Sequence, residues 1–131
     1  MVSAFFYLKK GGGNKYDLEF SMKYKLDSID FSDFIHLLNE NKKVKKWVHF
    51  VPQSDFLIHD GFIVTNFLGK FESIDEDMKK LRELIGLEEK DNARKDNKSI
   101  RNGYETYYNK ELKDIVYSIY KEDFVNFEYE R

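Results

Sequence analysis

The chain has 131 residues, of which 41% are hydrophobic and 17% aromatic, and this composition fits one globular domain over residues 1–131. Charged residues make up 35%, but both signs are interspersed and the net charge is −2, so there is no global attraction to nucleic acid or anionic membrane. Cysteine is absent, which excludes a disulfide framework, thiol catalysis and a cysteine zinc site. With no apolar run long enough to cross a bilayer and no signal-peptide pattern, we expect a soluble, cytoplasmic protein.

The first 40 residues contain two predicted helices. Residues 1–10 are rich in apolar side chains, and the glycine triplet that follows is typical of a helix end. Residues 15–29 show no clear period and are predicted to form a connecting segment. A second helix is predicted over 30–40, capped by Ser28 or Asp30. Its apolar face consists of Phe31, Phe34, Ile35 and Leu38.

The strongest strand signal lies at residues 62–69, which read "FIVTNFLG". The apolar residues run almost continuously instead of alternating, a pattern that suits a strand buried on both faces, as in a parallel sheet. A single buried strand would leave its backbone hydrogen-bonding groups unpaired. Either extended pieces near 48–58 therefore pair with it, or its partners lie outside this chain.

The second half of the chain contains two more predicted helices. One begins at Ser73, where Glu76 three residues later predicts a capping box, and ends at Gly86. Residues 88–102 are polar and are predicted to form a loop. The last long helix is predicted over 109–120, and its inward face consists of Leu112, Ile115, Val116 and Ile119.

Segments in order along nearly the whole chain resemble sulfotransferases that use 3′-phosphoadenosine 5′-phosphosulfate (PAPS), in particular the carbohydrate and bacterial branch. The family's 3′-phosphate motif is similar to the opening "VSAFFYLKKGGGNKYD". Its His-x-x-Pro-Gln segment is similar to "HFVPQSDFL", and its strand, turn and acidic-capped helix to "VTNFLGKFESIDEDMKKLRELIGL". The resemblance implies a P-loop-like α/β fold. This chain would form its helix-rich C-terminal part, with one sheet strand near 62–69.

The same resemblance implies where the nucleotide is bound. Ser3 matches the serine that holds the 3′-phosphate, while the arginine that accompanies it would lie upstream of Met1. Lys98, Ser99 and Arg101 match a loop that closes over the nucleotide. The alternative, which is commoner for such charged residues, is a loop exposed to solvent. We interpret the chain as the C-terminal half of the domain without the 5′-phosphosulfate loop, and we expect little or no turnover from it alone.

His49 and Gln53 lie in the segment that the resemblance places beside the acceptor. An imidazole titrates in the range useful for taking the proton of a hydroxyl, so His49 is a weak candidate for a catalytic residue and a candidate for acceptor binding, as is Gln53. The alternative is an inert histidine packed beside Trp47 and Phe50. The histidines are scattered without metal-ligand spacing, and we expect no metal.

Three functions follow from these observations. The first is transfer of a sulfuryl group from PAPS to a hydroxyl of a carbohydrate-like acceptor. The alternative is a non-enzymatic remnant or interaction module that pairs with a partner chain, either a missing N-terminal half or a second copy. The third is a small nucleic-acid binder, suggested by the basic stretch "KKVKKW" at 42–47, although four lysines there are more simply a solvated surface. We expect neither nucleic acid nor membrane as a partner.

Overall fold

The computed structural model describes residues 1–87 and 103–130. Its α-helices are α1 (Val2–Lys9), α2 (Lys15–Lys23), α3 (Phe31–Glu40), α4 (Lys42–Lys45), α5 (Ser54–Leu57), α6 (Ile74–Ile85), α7 (Lys110–Ile119) and α8 (Lys121–Asn126). The strands are β1 (Ile58–His59) and β2 (Phe62–Ile63), and 3₁₀ turns occupy Phe71–Ser73 and Tyr104–Tyr107. The chain divides into two units, one of residues 1–56 and 102–131 and the other of residues 57–101. The architecture is helix-rich α/β with a small sheet.

The first unit has a core built from α1, α3 and α7 together with the segment after α4. The ring centroids of Phe5 and Phe34 are 5.0 Å apart, and those of Phe34 and Phe50 are 4.9 Å apart. Complete burial of such side chains contributes roughly 1.5–3 kcal/mol each. The other fully buried apolar side chains are Leu8, Leu26, Ile35, Leu38 and Val44. The predicted helices over 1–10, 30–40 and 109–120 are confirmed within one or two residues at each end.

Residues 15–23 are not a connecting segment but helix α2, so that prediction was wrong. The side-chain oxygen of Asn14 accepts hydrogen bonds from the backbone N–H groups of Tyr16 and Asp17 and caps the helix. Phe20 is the buried apolar residue of α2, and the other buried side chains are polar. A helix with so little apolar surface on its inner face shows no hydrophobic period in sequence.

The predicted strand over 62–69 is much shorter in the structure. Only Phe62 and Ile63 are in β2, and they pair antiparallel with His59 and Ile58, at the end of the 48–58 region that was one of the two expected sources of a partner. Phe62 is 75% exposed, so burial on both faces, as in a parallel sheet, is wrong for this segment. The physical reason is that the described residues supply two strands, which leaves no layer on either face to cover the run.

Helix α6 begins and ends where predicted, but the beginning differs in detail. Ser73 is at the N-cap position, yet its hydroxyl caps no helical N–H and instead donates to the carboxylate of Asp77 at 2.7 Å. The predicted capping box with Glu76 is therefore wrong. Gly86 has a left-handed backbone (φ 70°) and ends the helix, as predicted.

Candidate functional site

The glycine turn between α1 and α2 brings two polar side chains together. Gly11 and Gly12 have positive φ values of 95° and 68°. A Cβ on Gly12 would lie 2.2 Å from the Cβ of Asp17, and one on Gly13 would lie 2.5 Å from the hydroxyl of Tyr7. Because only glycine leaves this space, the triplet allows Asp17 of α2 to lie directly beside Tyr7 of α1.

Asp17 is the centre of the resulting cluster. Its side chain is 2% exposed. The hydroxyl of Tyr7 donates to its Oδ2 at 3.1 Å, and the amide of Asn14 donates to the same oxygen at 2.7 Å. The other carboxylate oxygen lies 3.1 Å from Nε2 of His49. A buried carboxylate with this many donors is held in one orientation.

His49 lies in the turn after α4, 32 residues from Asp17 in sequence. The Asp17 carboxylate can only accept in this contact, so Nε2 carries the proton. The second ring nitrogen, Nδ1, has no hydrogen-bond partner among the described residues, and 32% of the side chain is exposed. The Tyr7 ring lies edge-on to the imidazole at 5.4 Å. His49 therefore presents a free basic nitrogen while its other nitrogen is held by a carboxylate.

The cluster keeps Asp17 ionised and Tyr7 protonated. Burial by itself would raise the pKa of Asp17, but hydrogen bonds from His49, Tyr7 and the backbone of Gly13 outweigh it, so the pKa lies below its usual value. Burial and the hydrogen bond to the Asp17 carboxylate raise the pKa of Tyr7. The Asp17 carboxylate is thus a charged acceptor for the Nε2–H group of His49.

The segment that follows His49 is fixed by the C-terminal helices. Tyr120, the residue after α7, donates its hydroxyl to the backbone oxygen of Phe50 at 2.8 Å. Burial, followed by the nearby charge of Asp123, raises the pKa of Tyr120, so it stays a donor at neutral pH. Asp123 accepts the backbone N–H groups of Gln53 and Ser54 at 2.8 Å each. Hydrogen bonds therefore fix the backbone of this segment at Phe50 and again at Gln53 and Ser54. The side chain of Gln53 is exposed.

Comparison with protein families gives a match to the sulfotransferase family model over residues 4–130. The chain belongs to the sulfotransferase family. Comparison with curated proteins and with solved structures gave no significant match. Membership of the family supports sulfuryl transfer as the general chemistry, and a helix-rich α/β unit is consistent with it.

Of the nucleotide-binding residues predicted for this member of the sulfotransferase family, the structure describes Ser3. It lies in the first turn of α1, is exposed, and precedes the family match by one residue. Because Ser3 and Tyr7 are four residues apart, they lie on one face of α1, about 6 Å apart along the axis. The predictions at Lys98, Ser99 and Arg101 lie outside the described residues.

Sequence reasoning missed Asp17, Tyr7 and Asn14 as members of the site. One local signal was present: an asparagine followed three residues later by an acidic residue is typical of a helix start. That signal predicts α2 but not the contact with His49. The three histidines differ in their surroundings, since His36 lies 3.8 Å from an exposed Glu111 and His59 is 80% exposed. His49 contacts a buried carboxylate.

Residues 1–87 and 103–130 lack two other kinds of site. These residues contain no group of three or more histidine, aspartate and glutamate side chains placed to hold a metal ion. In the same part of the chain, no helix combines the length and apolar character that spanning a membrane requires.

Proposed function

We propose that this chain takes part in transfer of a sulfuryl group from PAPS to a hydroxyl of a carbohydrate-like acceptor, with His49 as the group that takes the acceptor proton. The observation that carries the proposal is the contact between Nε2 of His49 and the buried carboxylate of Asp17 at 3.1 Å. An imidazole held in this way is a competent general base because the carboxylate stabilises the imidazolium that forms. Family membership supports the reaction class.

In the proposed mechanism, Nδ1 of His49 accepts the hydroxyl proton as the acceptor oxygen bonds to sulfur and the bond between sulfur and the nucleotide's phosphate oxygen breaks. Asp17 holds the ring orientation through Nε2 and offsets the positive charge that develops on it. Tyr7 and Asn14 keep the carboxylate in place by donating to its Oδ2. Gln53, displayed four residues after His49, would contact the acceptor by hydrogen bonds from its amide.

PAPS is a substrate of this reaction and supplies the sulfuryl group. Ser3 fits the 3′-phosphate, since its exposed hydroxyl lies in the first turn of a helix, where backbone N–H groups have no partner within the helix. A hydroxyl without a cationic neighbour holds phosphate weakly, because charge-assisted hydrogen bonds are the strong ones. Lys98, Ser99 and Arg101 are proposed to close over the same nucleotide. We expect little or no turnover from this chain because its motifs include no loop for the 5′-phosphosulfate.

Binding and turnover test the proposal separately. Amide NMR spectra recorded with 3′-phosphoadenosine 5′-phosphate should show shifts at Ser3 and the start of α1. Spectra with a panel of neutral and acidic oligosaccharides should show shifts at His49 and Gln53. Absence of both responses at millimolar ligand would contradict the proposed function. Robust sulfate transfer from PAPS by this chain would support the function and overturn the expectation of little or no turnover.

A second candidate function, self-association through the second unit, is favoured by its exposed apolar side chains. In residues 57–87, Phe62 is 75% exposed, Phe71 81% and Leu84 71%. Exposed apolar side chains that lie together are typical of an interface. The proposed partner is a second copy of the chain. Sedimentation at increasing protein concentration should then show a dimer that Phe71→Ser weakens, whereas a monomer at every concentration would exclude this candidate.

A further inference from the structure

A groove in the first unit lies between α2 and the start of the segment after α4, apart from the Asp17 cluster. On the α2 side it is lined by Tyr16, Glu19, Phe20 and Lys23, which repeat at the spacing of one helix face, and by Tyr24. Its volume is about 290 Å³. Ligand pockets in proteins span roughly 300–1,000 Å³, so this groove has the size for a single ring and not for a long chain.

The rest of the lining consists of Lys43, in α4, and Trp47, just after it. The Trp47 and Phe20 rings are stacked, with centroids 4.4 Å apart and planes 18° from parallel. Two further aromatic side chains, Tyr16 and Tyr24, widen this apolar surface. The indole N–H of Trp47 is buried and has no acceptor within residues 1–87 and 103–130. A flat molecule with an apolar face would contact these rings over a large area.

The charges of the groove favour an anion. The ammonium group of Lys43 makes no ion pair or hydrogen bond with the described residues. The ammonium of Lys23 lies 5.5 Å from the centroid of the Tyr24 ring. The acidic side chain in the lining, Glu19, lies 3.8 Å from Lys15, which offsets its charge. Two cations beside an aromatic surface are therefore available to a ligand in a protein whose net charge is −2.

We propose that this groove is a binding site for a ring-shaped organic anion, a molecule with one flat apolar face and one carboxylate or sulfate group. The ring packs on Trp47 and the tyrosines, and the anionic group lies between Lys23 and Lys43. Two sources have this chemistry, an acidic or sulfated sugar and an aromatic acid or sulfate ester. The site does not depend on the proposed sulfuryl transfer, because it uses none of the residues of the Asp17 cluster.

The sole tryptophan of the chain lies in this groove, so its fluorescence reports binding there directly. The full chain is titrated with glucuronate and with phenyl sulfate, and in parallel with the neutral counterparts glucose and phenol. We expect a saturable change of Trp47 emission with at least one of the two anions. The neutral counterpart of that anion should bind more weakly. The anion that binds more tightly shows whether the site prefers an acidic or sulfated sugar or an aromatic acid or sulfate ester.

Lysine substitutions decide whether the signal arises from the proposed contacts. Lys23→Ala and Lys43→Ala should each weaken anion binding, by up to about fivefold for an exposed charge pair. Lys42→Ala is the matched control, because Lys42 is an exposed neighbour on α4 that does not line the groove. All three positions are exposed, so circular dichroism should show an unchanged fold.

Three results would overturn the proposal. The first is no saturable response to either anion at millimolar concentration. The second is equal binding of the neutral and anionic ligands, or wild-type binding by both lysine variants. The third is a response to single-stranded oligonucleotide without any response to the monomeric anions, since that would make the aromatic surface a platform for stacking bases.

Discussion

The carboxylate of Asp123 accepts both the backbone N–H of Ser54, at 2.8 Å, and the Ser54 hydroxyl, at 2.5 Å. The two residues are 69 positions apart in sequence, and Ser54 is 4% exposed. Asp123 also accepts the N–H of Gln53, so one side chain of α8 satisfies three donors at the start of α5. The backbone conformation of the segment that follows His49 therefore depends on Asp123, a residue near the end of the chain.

Replacing Asp123 tests this connection. Asp123→Ala leaves three donors without their acceptor, and we expect a loss of about 1–3 kcal/mol in the free energy of unfolding. Hydrogen exchange at the Gln53 and Ser54 amides should accelerate more than elsewhere in the first unit. Glu122→Ala is the matched control and should change neither quantity. Unchanged exchange at both amides in Asp123→Ala would show that the contact does not hold this segment.

Substitution of Gly12 tests the close approach of α1 and α2. Gly12→Ala places a methyl group 2.2 Å from the Cβ of Asp17 and requires a positive φ. We expect a cost of about 1–2 kcal/mol for the left-handed backbone. Overpacking should add about 1–3 kcal/mol more. Chemical denaturation measures the sum.

Gly11→Ala is the control for that experiment. Gly11 has a positive φ in the same turn, but its added Cβ would meet only the flexible end of Leu18, at 3.2 Å. The free energy of unfolding of Gly11→Ala should therefore fall chiefly by the cost of the left-handed backbone, without the cost of overpacking. Equal losses in the two variants would mean that the Asp17 side chain can move away, and that the cluster is not tightly packed.

Removing the imidazole at His49 should raise the pKa of Asp17. Burial favours the protonated carboxyl, and the hydrogen bond from His49 is the largest effect opposing it. In His49→Phe that donor is lost, so the acid titration of Asp17 should move to higher pH, as followed by NMR of its carboxyl carbon. His36→Phe, beside exposed Glu111, is the control and should leave this titration unchanged. An unaltered Asp17 titration in His49→Phe would contradict the contact.

Asp77 makes the second unit sensitive to acid. The backbone N–H of Lys70, the hydroxyl of Ser73 and the ammonium of Lys80 all donate to its carboxylate, and together they lower its pKa to about 2. Because this folded-state pKa lies below the ordinary value of 3.8, the stabilisation is complete above about pH 4 and is lost as pH falls towards 2. Amide NMR of α6 over this range measures the loss.

Asp77→Asn removes the titrating group, so α6 should be less stable at neutral pH and should lose its dependence on pH between 4 and 2. Glu76→Gln, an exposed neighbour in the same turn, should retain that dependence. If α6 in the wild-type chain were equally ordered at pH 2 and pH 5, the carboxylate would not be what holds its first turn.

Local sequence signals predicted the helices of the core because their causes are local. The apolar face of α3, its cap at Asp30 and the stop at Gly86 all depend on residues within a turn or two of each other. The same reasoning failed for α2, where polar side chains face inward. It also overestimated the length and the burial of β2. A continuous apolar run indicates burial only if other elements cover it, and Phe62 remains exposed.

The candidate site likewise contains residues that the sequence predicted and residues that it did not. His49 and Gln53 could be selected from sequence because a resemblance pointed to their segment, and the family match supports the reaction class that the resemblance implied. Asp17 could not be selected. Its importance comes from burial and from a contact with a histidine 32 residues away, and no local pattern records either property.

By itself the sequence determined where α1, α3, α6 and α7 begin and end, that the glycine triplet ends the first of them, and which family the chain belongs to. Those properties depend on backbone sterics and on neighbours close in the chain. Only the tertiary structure decided that Asp17 and His49 meet, that Asp123 holds Ser54, and that Trp47 and two lysines share a groove. Contacts between distant residues depend on how the helices pack, because packing alone brings those side chains within bonding distance.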